Sequence, residues 1–168
     1  MTNNNTGLDP KVQQALSHYG IEHRVVPCDD SLADTAKFCE AYGFAPEQSA
    51  NALVVASTKG EAAFACCVVL ANCRLDVNKT VRKKLGARKV SFANPETTKE
   101  MTGMELGGVT PIGIPESLPL WIDSRVMECE EIILGGGNRL SKLLLPPAGL
   151  LKVPQAEVVP GLAKLIES

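Results

Sequence analysis

The sequence predicts a single α/β domain with a mixed sheet. Three observations carry that prediction. Two near-continuous apolar runs, Ala50 to Ser57 and Ala62 to Leu70, flank Thr58-Lys59-Gly60-Glu61. That is the pattern of a β-hairpin whose strands are covered on both faces. Around this hairpin, segments of helical periodicity that stop at glycine alternate with short strand-like runs. A chain of 168 residues, 45% of them apolar, fits one domain and can build a sizeable core, burying roughly 70% of its unfolded surface. Neither a repeat nor a linker divides it. Residues 1–8 read as a polar, flexible tail and 9–168 as the domain.

The elements follow in order. Asp9-Pro10 is an N-cap with proline at the first helical position. Val12, Ala15, Leu16 and Tyr19 recur at helical spacing, and Gly20 ends the helix. Ile21 to Pro27 alternates as a strand. Ser31 with Asp34 resembles a capping box and opens a helix that ends at Gly43. Ala45-Pro46-Glu47 starts a short turn. After the hairpin, Asn78 to Leu85 reads as a basic helix closed by Gly86, with Val77, Val81 and Leu85 as its apolar stripe. Lys79, Arg82 and Lys83 share a different face. Lys89 to Phe92 is a short strand, and Asn94-Pro95-Glu96 caps a helix that ends at Gly103. Leu118 to Asp123, Glu130 to Leu134 and Arg139 to Leu145 read as strands, the last two joined by the turn Gly135-Gly136-Gly137-Asn138. Pro146-Pro147 begins a helix, Glu157 to Val159 forms a last strand, and Pro160 to Ser168 forms a terminal helix.

Composition excludes several function classes. The longest apolar run, Ala62 to Ala71, is too short to span a bilayer. No basic segment followed by an apolar one opens the chain, so no secretory signal is read and a cytoplasmic location is expected. His18 and His23 are five positions apart, not the four that would put two ligands on one helix face. None of the six cysteines forms a C-x-x-C pair, so no metal is expected, and the thiols read as small reduced hydrophobes. The net charge of −2 argues against a nucleic-acid partner. That average conceals a basic segment. Arg74 to Lys89 holds seven basic residues and one acid, net +6 against −8 for the remainder. It is either a solvated face or a phosphate-binding one. With seven aromatics in the chain, successive stacked bases are not expected.

The most informative motif is Gly107-Gly108-Val109-Thr110-Pro111-Ile112-Gly113. Its glycines permit close backbone approach to a ligand, and its N–H groups could serve an anion or a developing oxyanion. It lacks the Lys-Ser/Thr of a phosphate loop and the strand context of a dinucleotide fingerprint. A purely structural turn is the alternative.

This loop resembles the G-G-x-x-P-x-G loop of the YbaK/EbsC family, the prolyl-tRNA synthetase-associated editing domains. Other segments match in the same order. Asp34 to Gly43 looks like the family's Ala-rich helix and Ala50 to Ala56 like its central strand. Arg74-Leu75-Asp76-Val77-Asn78-Lys79 followed by Leu85-Gly86-Ala87-Arg88-Lys89-Val90 is similar to its R-L-D-x-x-K … L-G-A-x-K-V segment. Thr102-Gly103 precedes the loop at the family spacing. The resemblance covers about residues 20 to 160.

The resemblance implies a mixed, mostly antiparallel, β-barrel-like sheet surrounded by helices. It also implies trans-editing, the hydrolysis of the ester between a wrong amino acid and the terminal adenosine of a tRNA, without cofactor, metal or protein nucleophile. A ribose hydroxyl of the tRNA would assist the attacking water. Carried onto this chain, Asn51, Gly107 and Gly108 would be the catalytic positions. Val109, Thr110, Pro111, Gly113, Gly135 and Gly136 would line the substrate pocket, and Lys79, Arg82 and Lys83 would meet tRNA phosphates. The expected partners are the acceptor end of an aminoacyl-tRNA and a synthetase, with neither DNA nor membrane. One departure stands out. The family usually carries a lysine on the central strand, and Asn51 occupies that position without a charge. Either the enzyme works with Asn51, or another lysine such as Lys79 supplies the charge, or the domain is a tRNA- or nucleotide-binding module that does not hydrolyse. A hydrolase for a non-tRNA ester is a further alternative.

Overall fold

A computed structural model describes residues 7–166. Helix α1 (Pro10–Tyr19) begins where the Asp9 carboxylate accepts the Lys11 N–H, and stops at Gly20 with φ +65°. It buries Val12 and Leu16. The Ile21 N–H bonds back to Leu16 O at 3.0 Å, so the expected strand at Ile21 starts only at β1 (Arg24–Pro27). The helix expected from Ser31 to Gly43 is broken. Asp29, not Ser31, caps a single 3-10 turn at Asp30–Leu32. Helix α2 (Thr35–Tyr42) then restarts after Asp34 and ends at Gly43. The expected tail divides similarly. Residues 1–6 lie outside the described residues, whereas Leu8 packs into the core and Gly7 O accepts bonds from Asn138 Nδ2 and Ser141 Oγ.

The hairpin is β2 (Ala50–Lys59) and β3 (Phe64–Leu70), with Asn51 opposite Val69. After β4 (Cys73–Leu75), the basic helix opens as a wide π turn, Val77–Val81, and continues as a single α turn, α3 (Arg82–Leu85). Asp76 winds its start, accepting from Lys79 N and Thr80 Oγ1. Strand β5 (Lys89–Phe92) precedes α4 (Pro95–Thr102), which is capped by Asn94. The remaining strands are β6 (Leu120–Asp123), β7 (Ile132–Gly135), β8 (Ser141–Leu145), β9 (Ala156–Val159) and β10 (Ala163–Leu165). A 3-10 helix, Pro147–Lys152, takes the place of the helix expected after Pro146. The terminal helix expected over Pro160 to Ser168 is overturned. Gly161 turns the chain at φ +75°, and β10 pairs antiparallel with β4, exchanging helical periodicity for ladder bonds. Glu167 and Ser168 lie outside the described residues.

The strands form three sheets of order β5-β2-β3-β6-β9, β1-β8-β7 and β10-β4. The largest is mixed, antiparallel at β5-β2-β3 and parallel at β3-β6-β9. The sheets are flanked by helices and do not close into a barrel. The main core lies between the two larger sheets, which touch where Ser49 bridges Ile133. A second, smaller cluster of Cys28, Ala33, Phe38, Ile133 and Leu144 seats α2 on the other face of β1-β8-β7. Among the described residues, no helix is long and apolar enough to cross a membrane.

Candidate functional site

Where the two larger sheets meet, a half-open cavity of about 270 Å³ lies between α2, β2, the glycine loop and the β7-β8 hairpin. Its polar lining comes from Asp34, Thr35, Ser49, Asn51 and Lys142, and its apolar lining includes Phe38, Val109 and Ile133. The volume is at the small end for ligand pockets. Of the residues singled out in the sequence, Asn51, Gly107, Val109 and Gly135 line it together. Asn51 Oδ1 accepts a 2.6 Å bond from Thr35 Oγ1. That bond fixes the amide and leaves its NH2 available to a ligand.

Gly108 and Gly136 stand just behind the lining. The loop and the β7-β8 turn cross almost backbone to backbone, with Gly137 N donating to Gly108 O at 2.6 Å. A Cβ on Gly108 would collide with the Asn138 backbone, and one on Gly135 would sit 2.6 Å from both Gly108 O and Val109 O. These glycines are required by the crossing itself. Thr110 is fully buried, and Gly113 turns at φ +96° against α1. Neither they nor Pro111 are in the lining.

The loop's N–H groups divide. Gly108 N donates to Glu105 O at 2.9 Å and Thr110 N to Met104 Sδ at 3.4 Å. Among the described residues no bond takes the N–H of Gly107 or Val109, and both residues line the cavity.

The structure adds two residues that the sequence did not single out. Lys142, the second residue of β8, is 6% exposed. Its stem runs through the second apolar cluster, with Nζ 5.4 Å from the centre of the Phe38 ring. Nζ donates to Ala33 O at 2.6 Å and to Gly107 O at 2.8 Å. Gly135, its partner across the ladder, has no side chain to crowd it. Desolvation holds the ammonium below the usual lysine range, and nearby Arg139 adds to that; Cys28, Asp34 and Cys39 oppose it. Arg139 ties the same walls from outside. Its Nε meets Asp30 Oδ1 at 2.7 Å, and Nη1 reaches Asp34 Oδ1 at 3.2 Å and Leu106 O at 3.0 Å.

The cavity offers no activated nucleophile. Ser49 Oγ pairs with Cys39 Sγ at 3.0 Å, and Thr35 pairs with Asn51, so neither hydroxyl has a base. His23 Nδ1 is taken up by Ile21 O, away from the lining. Burial pushes the Cys66 thiol up to about 12 and Cys67 higher still, which keeps them un-ionised. Lys79, Arg82 and Lys83 lie outside the cavity, with Lys79 and Lys83 exposed. Arg82 Nε is bonded to Asn78 O.

Known proteins resemble this chain in sequence and in fold. A proline–tRNA ligase from Brachyspira hyodysenteriae is 32% identical over 65 residues, 38% of this chain. The chain spans only 11% of that ligase. The uncharacterized protein YwhH of Bacillus subtilis is 26% identical over 139 residues, covering 83% of this chain and 86% of YwhH. Among solved structures, a candidate trans-editing enzyme for prolyl tRNA synthetase superposes with a TM-score of 0.78 at 27% identity, covering 99% of this chain and 100% of its own. Hypothetical protein APE2540 shares the fold, with a TM-score of 0.80 at 22% identity over 92% of this chain and 99% of its own. The aminoacyl-tRNA editing domain model matches residues 29–153, from the cap of the 3-10 turn ahead of α2 to the residue after the Pro147–Lys152 3-10 helix, and the chain therefore belongs to the aminoacyl-tRNA editing domain family.

Proposed function

We propose that the protein is a trans-editing deacylase acting on mischarged tRNA in the cytoplasm. One observation carries the reading. Asn51, Gly107, Val109 and Gly135, far apart in sequence, converge on one small cavity rich in fixed donors and without a nucleophile–base pair. Such a cavity suits an ester whose hydrolysis needs positioning and oxyanion stabilisation more than protein acid–base chemistry. The similarity to part of a proline–tRNA ligase and to a candidate trans-editing enzyme for prolyl tRNA synthetase supports the same substrate class. A synthetase is then a natural partner.

In the reaction, water attacks the carbonyl carbon of the aminoacyl ester. The carbonyl oxygen becomes an oxyanion, facing the N–H groups of Gly107 and Val109. The vicinal ribose hydroxyl relays the proton, accepting the one that water loses while handing its own to the ribose ester oxygen, which leaves as the acyl C–O bond breaks. Free amino acid and uncharged tRNA then leave. Asn51 orients the aminoacyl end through its free NH2. Thr110, Pro111 and Gly113 shape the loop from behind. Lys79, Arg82 and Lys83 contact acceptor-stem phosphates outside the cavity.

Incubation of the purified protein with a panel of mischarged tRNAs tests this reading. Ester cleavage above buffer for at least one member is expected, and no cleavage across the panel overturns it. The uncharged Asn51 favours a second reading, a tRNA-binding module without turnover. Salt-sensitive tRNA binding with no cleavage in the same assay would select it.

A further inference from the structure

We propose that Lys142 is the positioning cation of this pocket, holding Gly107 in place and setting a fixed positive charge beside the oxygen of the bound ester. The proposal rests on the deacylase reading for its substrate and on the cavity for its geometry.

An ammonium has three protons and no acceptor. Two protons of Lys142 go to Ala33 O and Gly107 O, which leaves one. Among the described residues no third acceptor bonds it, and the side chain lines the cavity. Among the described residues no carboxylate lies within ion-pairing distance of Nζ; Asp34, the nearest acid in the lining, is bound by Arg139. A charge buried without a counter-ion is costly unless something satisfies it. Two carbonyl dipoles and the face of Phe38 satisfy part of that demand, and an electron-rich ligand oxygen would complete it.

A purely structural lysine would join two carbonyls equally well, but it would have no reason to line the same cavity as Asn51. The family resemblance leads one to expect a charge at Asn51. The fold supplies that charge to the same cavity from β8, a different strand in a different sheet.

The test uses the full chain and four variants: Lys142→Met, Lys142→Gln, Asn51→Lys and the double variant Asn51→Lys/Lys142→Met. Circular dichroism and thermal melting first establish which variants fold. Lys142→Gln keeps a neutral donor should Lys142→Met fail to fold. Single-turnover cleavage of a mischarged tRNA is expected to fall by about 100-fold in the neutral variants, with KM for the tRNA little changed. The double variant, which restores a cation from β2, is expected to regain about tenfold of that loss. A folded neutral variant that cleaves as fast as the native chain overturns the proposal. So does a double variant as slow as Lys142→Met, because Lys142 would then be only a clamp.

A parallel measurement separates the proposal from the reading it rests on. Affinity for a non-hydrolysable 3′-aminoacylamido-adenosine is measured by calorimetry. If the native chain binds this analogue without cleaving any tRNA, the deacylase reading fails. Lys142 then stands if Lys142→Met weakens binding about tenfold, and falls if affinity is unchanged. A native chain that neither cleaves nor binds overturns both.

Discussion

The crossing of the glycine loop over the β7-β8 hairpin makes Gly135→Ala the most informative single substitution. The native backbone at Gly135 is not in the left-handed region, so alanine meets no conformational penalty there. The cost is contact alone. Its Cβ would stand 2.6 Å from Gly108 O and 2.6 Å from Val109 O, whereas ordinary contact begins near 3.4 Å. The loop must retreat by about 0.8 Å, or β7 must move the other way, and both are held by buried packing. Overpacking of this kind costs about 1–3 kcal/mol. Alanine returns about 0.4–1 kcal/mol by restricting the unfolded chain. Taken at mid-range the net loss is about 1.3 kcal/mol, which for a domain of this size lowers Tm by about 3–5 °C. Because the atoms that must yield belong to Gly108 and Val109, the same shift moves the loop segment whose N–H groups the proposed reaction uses. Turnover should therefore fall further than stability does at the assay temperature. Scanning calorimetry and single-turnover cleavage read the two effects separately. A Gly135→Ala protein with native Tm and native turnover would refute the argument that the glycine exists to let these two backbones touch.

The remaining predictions probe other parts of the site. Thr35→Val removes the bond that fixes Asn51 and should lower turnover with a stability loss of about 1 kcal/mol, read by urea unfolding. Arg139→Ala should speed amide exchange in residues 29–34 and 105–108 while costing at most about 1 kcal/mol, because its ion pairs are solvent-facing. Replacing Lys79, Arg82 and Lys83 by alanine should flatten the salt dependence of tRNA binding by about three charges; an unchanged slope would make that face a solvated surface. Burial holds the Asp123 carboxyl above its ordinary 3.8, so in that window the folded state binds the proton more readily than the unfolded chain. Stability should then fall as pH rises from about 4 toward the folded pKa, and Asp123→Asn should abolish that slope in urea titrations at several pH values.

Legibility in the sequence followed the range of the interactions. The β2-β3 hairpin could be read directly because its apolar runs and its turn are contiguous. The helix caps at Asp9 and Asn94 were equally local. The terminal segment after Pro160 misled because its partner, Cys73–Leu75, lies some ninety residues upstream; nothing local distinguishes a strand that will find an edge from a helix that will not. Ser31 was misread as a cap because Asp29, two residues earlier, offered the better acceptor. Lys142 escaped notice for the first reason. Its two acceptors are 109 and 35 residues distant. One sign was available. Lys142 is the single cation within Ser141–Leu145, a strand buried at every position, and a charge in such a run must have a purpose in the interior.

The proposed role of Lys142 has a consequence for Asn51. Where catalysis depends on a nucleophile and its base, each residue must hold a bond vector, and the position of each in sequence is tightly constrained. A pocket that acts through fixed dipoles and one charge is constrained differently. The field at the ester oxygen depends on distance and dielectric, not on which strand carries the ammonium. Asn51 and Lys142 approach one cavity from two sheets, so exchanging a cation at the first for one at the second preserves the electrostatics provided the walls do not move. Lys142 and Arg139 hold those walls, joining Ala33, Asp30 and Asp34 on one side to Leu106 and Gly107 on the other. The cation that supplies the charge is thus also part of the frame that fixes its distance. Moving it back to residue 51 should restore the field more completely than it restores the rigidity, and that difference is the reason the double variant is expected to recover only part of the lost rate.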